Sequence, residues 1–217
     1  MTRDWSDRRV FQDRYWKWAR RARVVARLCR DDHWVCDIGC GMQPLRWFLP
    51  KGSIYLPADL VRWSEDTEFC DLNAGRLPLC SLTLCDVAVM IGLVEYIEDL
   101  ESLLSQLSDY AEFIAFTYNP TDTYPKRAWH WVCHLSEKEL FSILDRRGFG
   151  VEHKSQFGQH RRLLVRARNK KFSSSQRERR DDARSQAARP RPGRYVSWQR
   201  LRHQLLTYRV LLHTNAT

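Results

Sequence analysis

Residues 34–41, Trp-Val-Cys-Asp-Ile-Gly-Cys-Gly, constrain the fold more than any other stretch of the chain. The apolar positions Trp34, Val35, Cys36 and Ile38 run straight into a turn holding Gly39 and Gly41, and Leu45, Phe48 and Leu49 follow at helical spacing. This reads as a buried strand that passes through a glycine turn into a helix. Glycines at such a turn let the backbone approach a ligand closely, and the start of the next helix offers unpaired N–H groups. The geometry suits a nucleotide or nucleoside. A dinucleotide site would want a third glycine where Pro44 stands, so pyrophosphate binding is disfavoured.

Strands and helices alternate from there on. Ser53 to Asp59 (SIYLPAD) reads as a second strand ending in an acid. Asp59 lies eighteen residues beyond Gly41, near the spacing at which a carboxylate meets ribose hydroxyls in α/β nucleotide sites. A carboxylate accepts two such hydrogen bonds at once. Thr67 to Asp71 is a short third strand, after which Asp71 and Asn73 also suit turn chemistry before Gly75. Cys85 to Gly92 is apolar nearly throughout, as in a central parallel strand, and leads to Glu95 and Tyr96. Leu100, Leu103, Leu104 and Leu107 mark a core-facing helix, and Ala111 to Tyr118 a fifth strand. Ser136 to Glu139 is a capping box that opens a helix with Leu140, Ile143 and Leu144 inward, and Gly148 stops it. Phe149 to Ser155 and Arg162 to Arg168 read as a closing hairpin. The expected fold is α/β: Rossmann-like and doubly wound, three layers, a mostly parallel sheet with a C-terminal antiparallel hairpin. Its ligand belongs at the carboxyl ends of the strands.

Charge divides the chain. Residues 1–30 hold ten Lys and Arg against three Asp, and residues 169–217 hold twelve against three acids, while residues 31–168 hold fourteen against twenty. The net charge of +10 therefore belongs to the ends, and the body is acidic. A nucleic-acid cleft across that body is not suggested, although basic ends can dock on a polyanion or a membrane surface. The division expected is a basic helical cap (1–30), a catalytic domain (31–168), a flexible basic linker (169–194) and an amphipathic C-terminal helix (195–217). In the cap, Phe11, Tyr15, Trp18, Ala22, Val25 and Cys29 form one buried face, with Arg14, Lys17, Arg20, Arg21 and Arg27 mostly opposite. A packing or lid helix with a solvated basic side is favoured over a polyanion-binding face. The seven cysteines show no CxxC pair, which points to reduced thiols and no metal site. The chain opens without an apolar leader and has no run long enough to span a bilayer, so a cytoplasmic location is expected.

The run Val-x-Asp-Ile-Gly-Cys-Gly resembles the first motif of class I S-adenosylmethionine-dependent methyltransferases. With YLPADLV, FCDLNAGRLPL and DVAVMIGLVEYIEDL, the likeness spans about residues 24–168 and looks like a bacterial group of small methyltransferases associated with polysaccharide and envelope-glycan biosynthesis. The resemblance implies S-adenosyl-L-methionine as cofactor. It puts Asp37 near the methionine end and Gly39 and Gly41 where room is needed. Asp59 with Leu60 falls at the ribose, Asp71 with Leu72 at the adenine, and Gly92 at the end of the fourth strand. Gln43 stands where the family often has another glycine.

Methyl transfer from a sulfonium is an in-line displacement in which positioning does most of the work. A hydroxyl acceptor would also use a base, for which Glu95, His130 and His134 are the candidates. The loop from Tyr118 to Ser136 reads as the acceptor wall, with Tyr118, Arg127, Trp129 and Trp131, together with Tyr96, placed to grip a ring or sugar. The expected acceptor is a small molecule or glycan. The rival reading is a non-catalytic cofactor-binding fold that meets RNA or a protein through its basic ends. Methylation of base amino groups is disfavoured, since Gly92-Leu93-Val94-Glu95 stands where an Asn/Asp-Pro-Pro-Tyr/Phe motif would.

Overall fold

Side chains that alternate along each strand are sorted between two apolar layers, and this sorting sets the architecture. The computed structural model describes residues 15–158 and 161–187. Its seven strands are β1 (Trp34–Ile38), β2 (Ile54–Asp59), β3 (Glu68–Phe69), β4 (Val87–Ile91), β5 (Phe113–Tyr118), β6 (Phe149–Phe157) and β7 (Arg162–Asn169). They form one sheet in the order β3-β2-β1-β4-β5-β7-β6. The first five are parallel, and β7 runs antiparallel to both β5 and β6. A mostly parallel sheet with a C-terminal hairpin is thus what the chain forms.

Trp34, Cys36 and Ile38 of β1, with Ala88 and Met90 of β4 and Ile114 and Phe116 of β5, face one layer. Val35, Val87, Val89 and Ala115 face the other. The first layer is covered by four helices: α2 (Leu79–Leu84), α3 (Leu100–Leu107), α4 (Glu137–Arg146) and α5 (Ser174–Gln186). Among the described residues only α1 (Tyr15–Ala26) covers the second, burying Ala22, Val25 and Ala26, helped by Leu45 from a single turn. The layering is therefore lopsided.

The reason lies between β1 and β2. The helix expected after the glycine turn is one 3-10 turn, Pro44–Trp47. Pro50 disfavours helical backbone at Leu49, and Gly52 follows at once, so Gln43 to Leu49 has no room for a longer helix. The expected helix N-terminus with its row of free N–H groups is correspondingly absent from this turn.

Two further differences concern helices. The sequence reading passed over α2, which begins directly after Pro78. Most of the expected flexible linker is also ordered, because Ser173 caps α5 through a reciprocal bond with Gln176, and Ala183 is buried against the core. The capping box at Ser136 and the left-handed Gly148 that ends α4 are as expected. The start of the cap helix at Phe11 and Arg14, and the amphipathic segment 195–217, lie outside the described residues.

Candidate functional site

After β1 the chain moves to β2 on one side of it, and it later returns to β4 on the other. Strand order reverses at that junction, and the two connections diverge to leave a crevice beyond the carboxyl ends. A cleft of about 330 Å³ opens there. That is within the range of small-molecule sites. The ends of β1 and β2 bring Asp37, Gly39, Gly41, Asp59 and Leu60 to its wall. Asp71 and Leu72 follow from the turn after β3, and Gly92 from the end of β4. All eight positions expected to meet a cofactor therefore line one space.

Asp37 is 2% exposed, and its Oδ2 accepts the Tyr55 hydroxyl at 2.7 Å. Burial pushes its carboxyl up to about 7, against the Tyr55 hydrogen bond, which pulls the other way. Asp59 ties two strand ends together. Its Oδ2 accepts the Gly41 N–H at 2.8 Å and its Oδ1 the Val61 N–H at 2.9 Å. Burial raises this carboxyl too, and the backbone N–H groups oppose that rise.

Gln43 stands in the left-handed region, φ 58° and ψ 42°, without being glycine. Its side-chain amide donates to Ser64 Oγ at 2.5 Å and Thr67 Oγ1 at 3.0 Å, which holds that backbone in place. Asp71 does perform turn chemistry. It pairs with Arg76 through the backbone, and its Oδ1 accepts the Ala74 N–H at 3.2 Å.

Gly39 and Gly92 form a cradle that larger residues would fill. Both have positive φ, +72° and +65°. A Cβ on Gly39 would stand 3.0 Å from the Leu93 side chain, and one on Gly92 would stand 2.7 Å from Arg21 Nη1. Arg21 and Trp18, both from α1, close the cleft on that side. The sequence reading missed them as site residues. Their signal was the helix periodicity itself, which sets Trp18 on the buried face and Arg21 at its margin.

The acceptor side divides the remaining candidates. Glu95 is 1% exposed and lines the cleft. Its Oε1 accepts both the backbone N–H and the side-chain amide of Asn119, while Oε2 has no hydrogen-bond partner among the described residues. Burial raises its carboxyl above the ordinary range. The Glu95 carbonyl also accepts Val132 N–H at 2.9 Å and Cys133 N–H at 3.1 Å, pinning the long loop over the site. His130 stacks on Tyr96, centroids 5.5 Å apart and 6° from parallel, and both line the cleft with Trp131.

Four expected residues stand elsewhere. Tyr118 is fully buried, accepting Leu135 N–H at 2.7 Å, so it cannot meet an acceptor. Arg127 donates to the carbonyls of Asn119 and Cys133 and to His134 Nδ1, which makes it a brace for the loop. His134 is exposed and outside the cleft wall. Trp129 is 70% exposed and edge-on to His130, also outside that wall.

No protein-family model and no curated protein matches this sequence. Solved structures do match in three dimensions. An S-adenosylmethionine-dependent methyltransferase from Aquifex aeolicus superposes with a TM-score of 0.60 at 15% identity, covering 77% of this chain and all of that one. Magnesium protoporphyrin IX methyltransferase from Synechocystis PCC 6803, holding S-adenosylhomocysteine, gives 0.53 at 14% identity, over 74% of this chain and 87% of its own. The pyocyanin biosynthetic protein PhzM gives 0.50 at 12% identity over 69% of this chain, which spans only 54% of that longer protein. At such identities the likeness is one of architecture, and by architecture the chain has the class I S-adenosylmethionine-dependent methyltransferase fold.

Proposed function

We propose that this protein is an S-adenosyl-L-methionine-dependent methyltransferase acting on a small-molecule or glycan acceptor, with a hydroxyl as the methylated group. The observation that carries the reading is the bond from Gly41 N–H to Asp59. It fixes the glycine turn against the acid that spacing assigns to a ribose, so the two halves of a nucleoside site are one unit. The fit extends to the rest of the cleft. The positive-φ cradle at Gly39 and Gly92 admits close approach of a ligand to backbone, and Asp37, Asp59, Asp71 and Glu95 make the walls acidic. A cationic cofactor is complementary to such walls.

When bound, the cofactor supplies an activated methyl group on a sulfonium. The chain's own residues have three tasks. Asp37, held by Tyr55, places negative charge beside the methionine end. Asp59 orients the ribose, with Leu60 and Leu72 bounding the nucleoside. Glu95 lines the acceptor side, and its enclosed Oε2, without a hydrogen-bond partner among the described residues, is the oxygen left to take a hydroxyl proton once the acceptor reaches it, while Tyr96, His130 and Trp131 present aromatic surface to the acceptor. His130 is the second candidate for that proton.

The test is calorimetric titration of S-adenosylmethionine and S-adenosylhomocysteine into wild type and Asp59→Ala. Micromolar binding that the substitution abolishes supports the assignment. Absence of binding by folded wild type removes it and shifts weight to the rival reading, an interaction module working through its basic ends.

A further inference from the structure

The solvent side of α1 is built unlike that of α5. Trp16, Arg20, Arg23 and Arg27 recur at steps of four, three and four, which aligns them in one stripe along the helix, and Lys17 and Arg30 flank it. All six are exposed, and the helix contains no acid. Among the described residues, Lys17, Arg20, Arg23 and Arg27 reach no carboxylate. By contrast Arg177, Arg180 and Arg184 of α5 each reach Asp86 or Glu112.

Beside this stripe, the 3-10 turn at Pro44–Trp47 packs against α1. It adds Trp47, 71% exposed, and is followed by Phe48, while Trp16 at the start of the stripe is 77% exposed. Exposed indoles on this helix and on the turn packed against it, together with cations that reach no carboxylate among the described residues, make the kind of surface that marks an interaction site.

We propose that α1 and the adjoining turn form a docking surface for an anionic phospholipid bilayer. The cations meet headgroup phosphates, and Trp16, Trp47 and Phe48 enter the interfacial region, where amphipathic rings are favoured. Nucleic acid fits less well. A strand led from the stripe into the cleft would run its phosphates onto Asp37, Asp59, Asp71 and Glu95. Trp18 and Arg21 of the same helix border the cleft, so docking holds the cleft beside the headgroups. That placement suits an acceptor carried on a lipid.

Co-sedimentation of the full chain with vesicles tests this, comparing equal parts phosphatidylglycerol and phosphatidylcholine with phosphatidylcholine alone. The wild type should bind only the anionic vesicles, and less as salt is raised. Each basic residue at an anionic surface is worth about fivefold in partitioning, so the combined Arg20→Gln, Arg23→Gln, Arg27→Gln variant should bind about 100-fold more weakly. Trp16→Ala with Trp47→Ala should weaken binding while leaving its salt dependence unchanged. These residues are exposed, and an unaltered circular dichroism melt checks that each variant folds. Failure of wild type to sediment, or equal binding by the triple-glutamine variant, overturns the proposal. So does an RNA oligonucleotide that displaces the protein from vesicles and itself needs the three arginines. The vesicle measurement reads no methyl transfer, so its outcome is independent of the cofactor titration.

Discussion

The Tyr55 hydroxyl donates to Asp37 Oδ2 at 2.7 Å inside the core, and even with this bond the carboxyl is pushed up to about 7. A folded-state value above the unfolded one means that the stabilising form is the protonated one. Its contribution is complete below about pH 4 and is lost as pH rises to about 7. Holding Asp37 ionised therefore costs the fold about 4 kcal/mol. Asp37→Asn should raise Tm by several degrees at pH 8 and leave it unchanged at pH 4, as read by differential scanning calorimetry. A cation beside Asp37 favours its ionised form, so wild-type affinity for S-adenosylmethionine should rise with pH across about 7, and Asp37→Asn should flatten that rise. A Tm difference independent of pH would show that Asp37 is not the group titrating.

Asp59 connects strand end and glycine turn, so its substitution should affect binding more than stability. Replacement by alanine removes two hydroxyl acceptors and frees the Gly41 N–H. At about 1.5 kcal/mol or more for each bond to a charged group, the expected loss of cofactor affinity is about 100-fold or greater. Asn in place of Asp59 keeps one acceptor oxygen and should fall between the two. Equal affinities for all three proteins in calorimetry would remove Asp59 from the cofactor site.

Glu95 and His134 make opposite predictions. Glu95→Gln keeps the shape and the Asn119 contact but cannot take a proton, so kcat should drop by about 100-fold or more with cofactor affinity unchanged. Because burial raises the Glu95 carboxyl, the wild-type rate should climb with pH through a value above the ordinary glutamate range, and Glu95→Gln should lose that limb. His134→Ala should leave kcat as it was, since the ring lies outside the cleft wall and accepts a hydrogen bond from Arg127. A pH profile shared by wild type and Glu95→Gln would transfer the role to His130.

That the expected cofactor residues share one cleft was legible because most of them sit at or just beyond strand ends that apolar runs make visible. Asp37, Asp59 and Gly92 follow directly from where β1, β2 and β4 stop. The loop expected to meet an acceptor was less so. Spacing in a loop does not say whether Tyr118 points at a ligand or, as here, under the loop it braces, and an arginine among aromatics looks like a grip whether it holds a substrate or two carbonyls. Arg21 was missed because a cation on an amphipathic helix ordinarily faces water, whereas this one meets Gly92 at the end of β4. The helix α5 was invisible for a different reason. Its apolar anchor is small, mainly Ala183 and the neighbouring Ala187, and hydropathy does not register a helix held by ion pairs.

Those ion pairs make the last prediction. Asp86 and Glu112 precede β4 and β5 at the end of the sheet opposite the cleft, and both are nearly buried. Arg180, 7% exposed, reaches Asp86 at 2.9 Å and Glu112 at 3.4 Å, while Arg184 reaches Asp86 at 2.7 Å and the Leu84 carbonyl. Asp86 also accepts the Trp34 N–H at 2.8 Å, so the latch touches the strand that carries Asp37. Removing one cation leaves buried carboxylates short of a partner, which costs about 3 kcal/mol. Arg180→Ala should therefore lower Tm by several degrees, and ending the chain before Ser173 should lower it further. Arg180→Ala combined with Asp86→Asn and Glu112→Gln should recover part of the loss, because the charges that needed neutralising are gone. Cofactor affinity measured well below Tm should stay within a few-fold of wild type in Arg180→Ala. If Arg180→Ala melts like wild type, α5 is a passenger on the sheet and residues 169–194 act as the linker that their composition suggests.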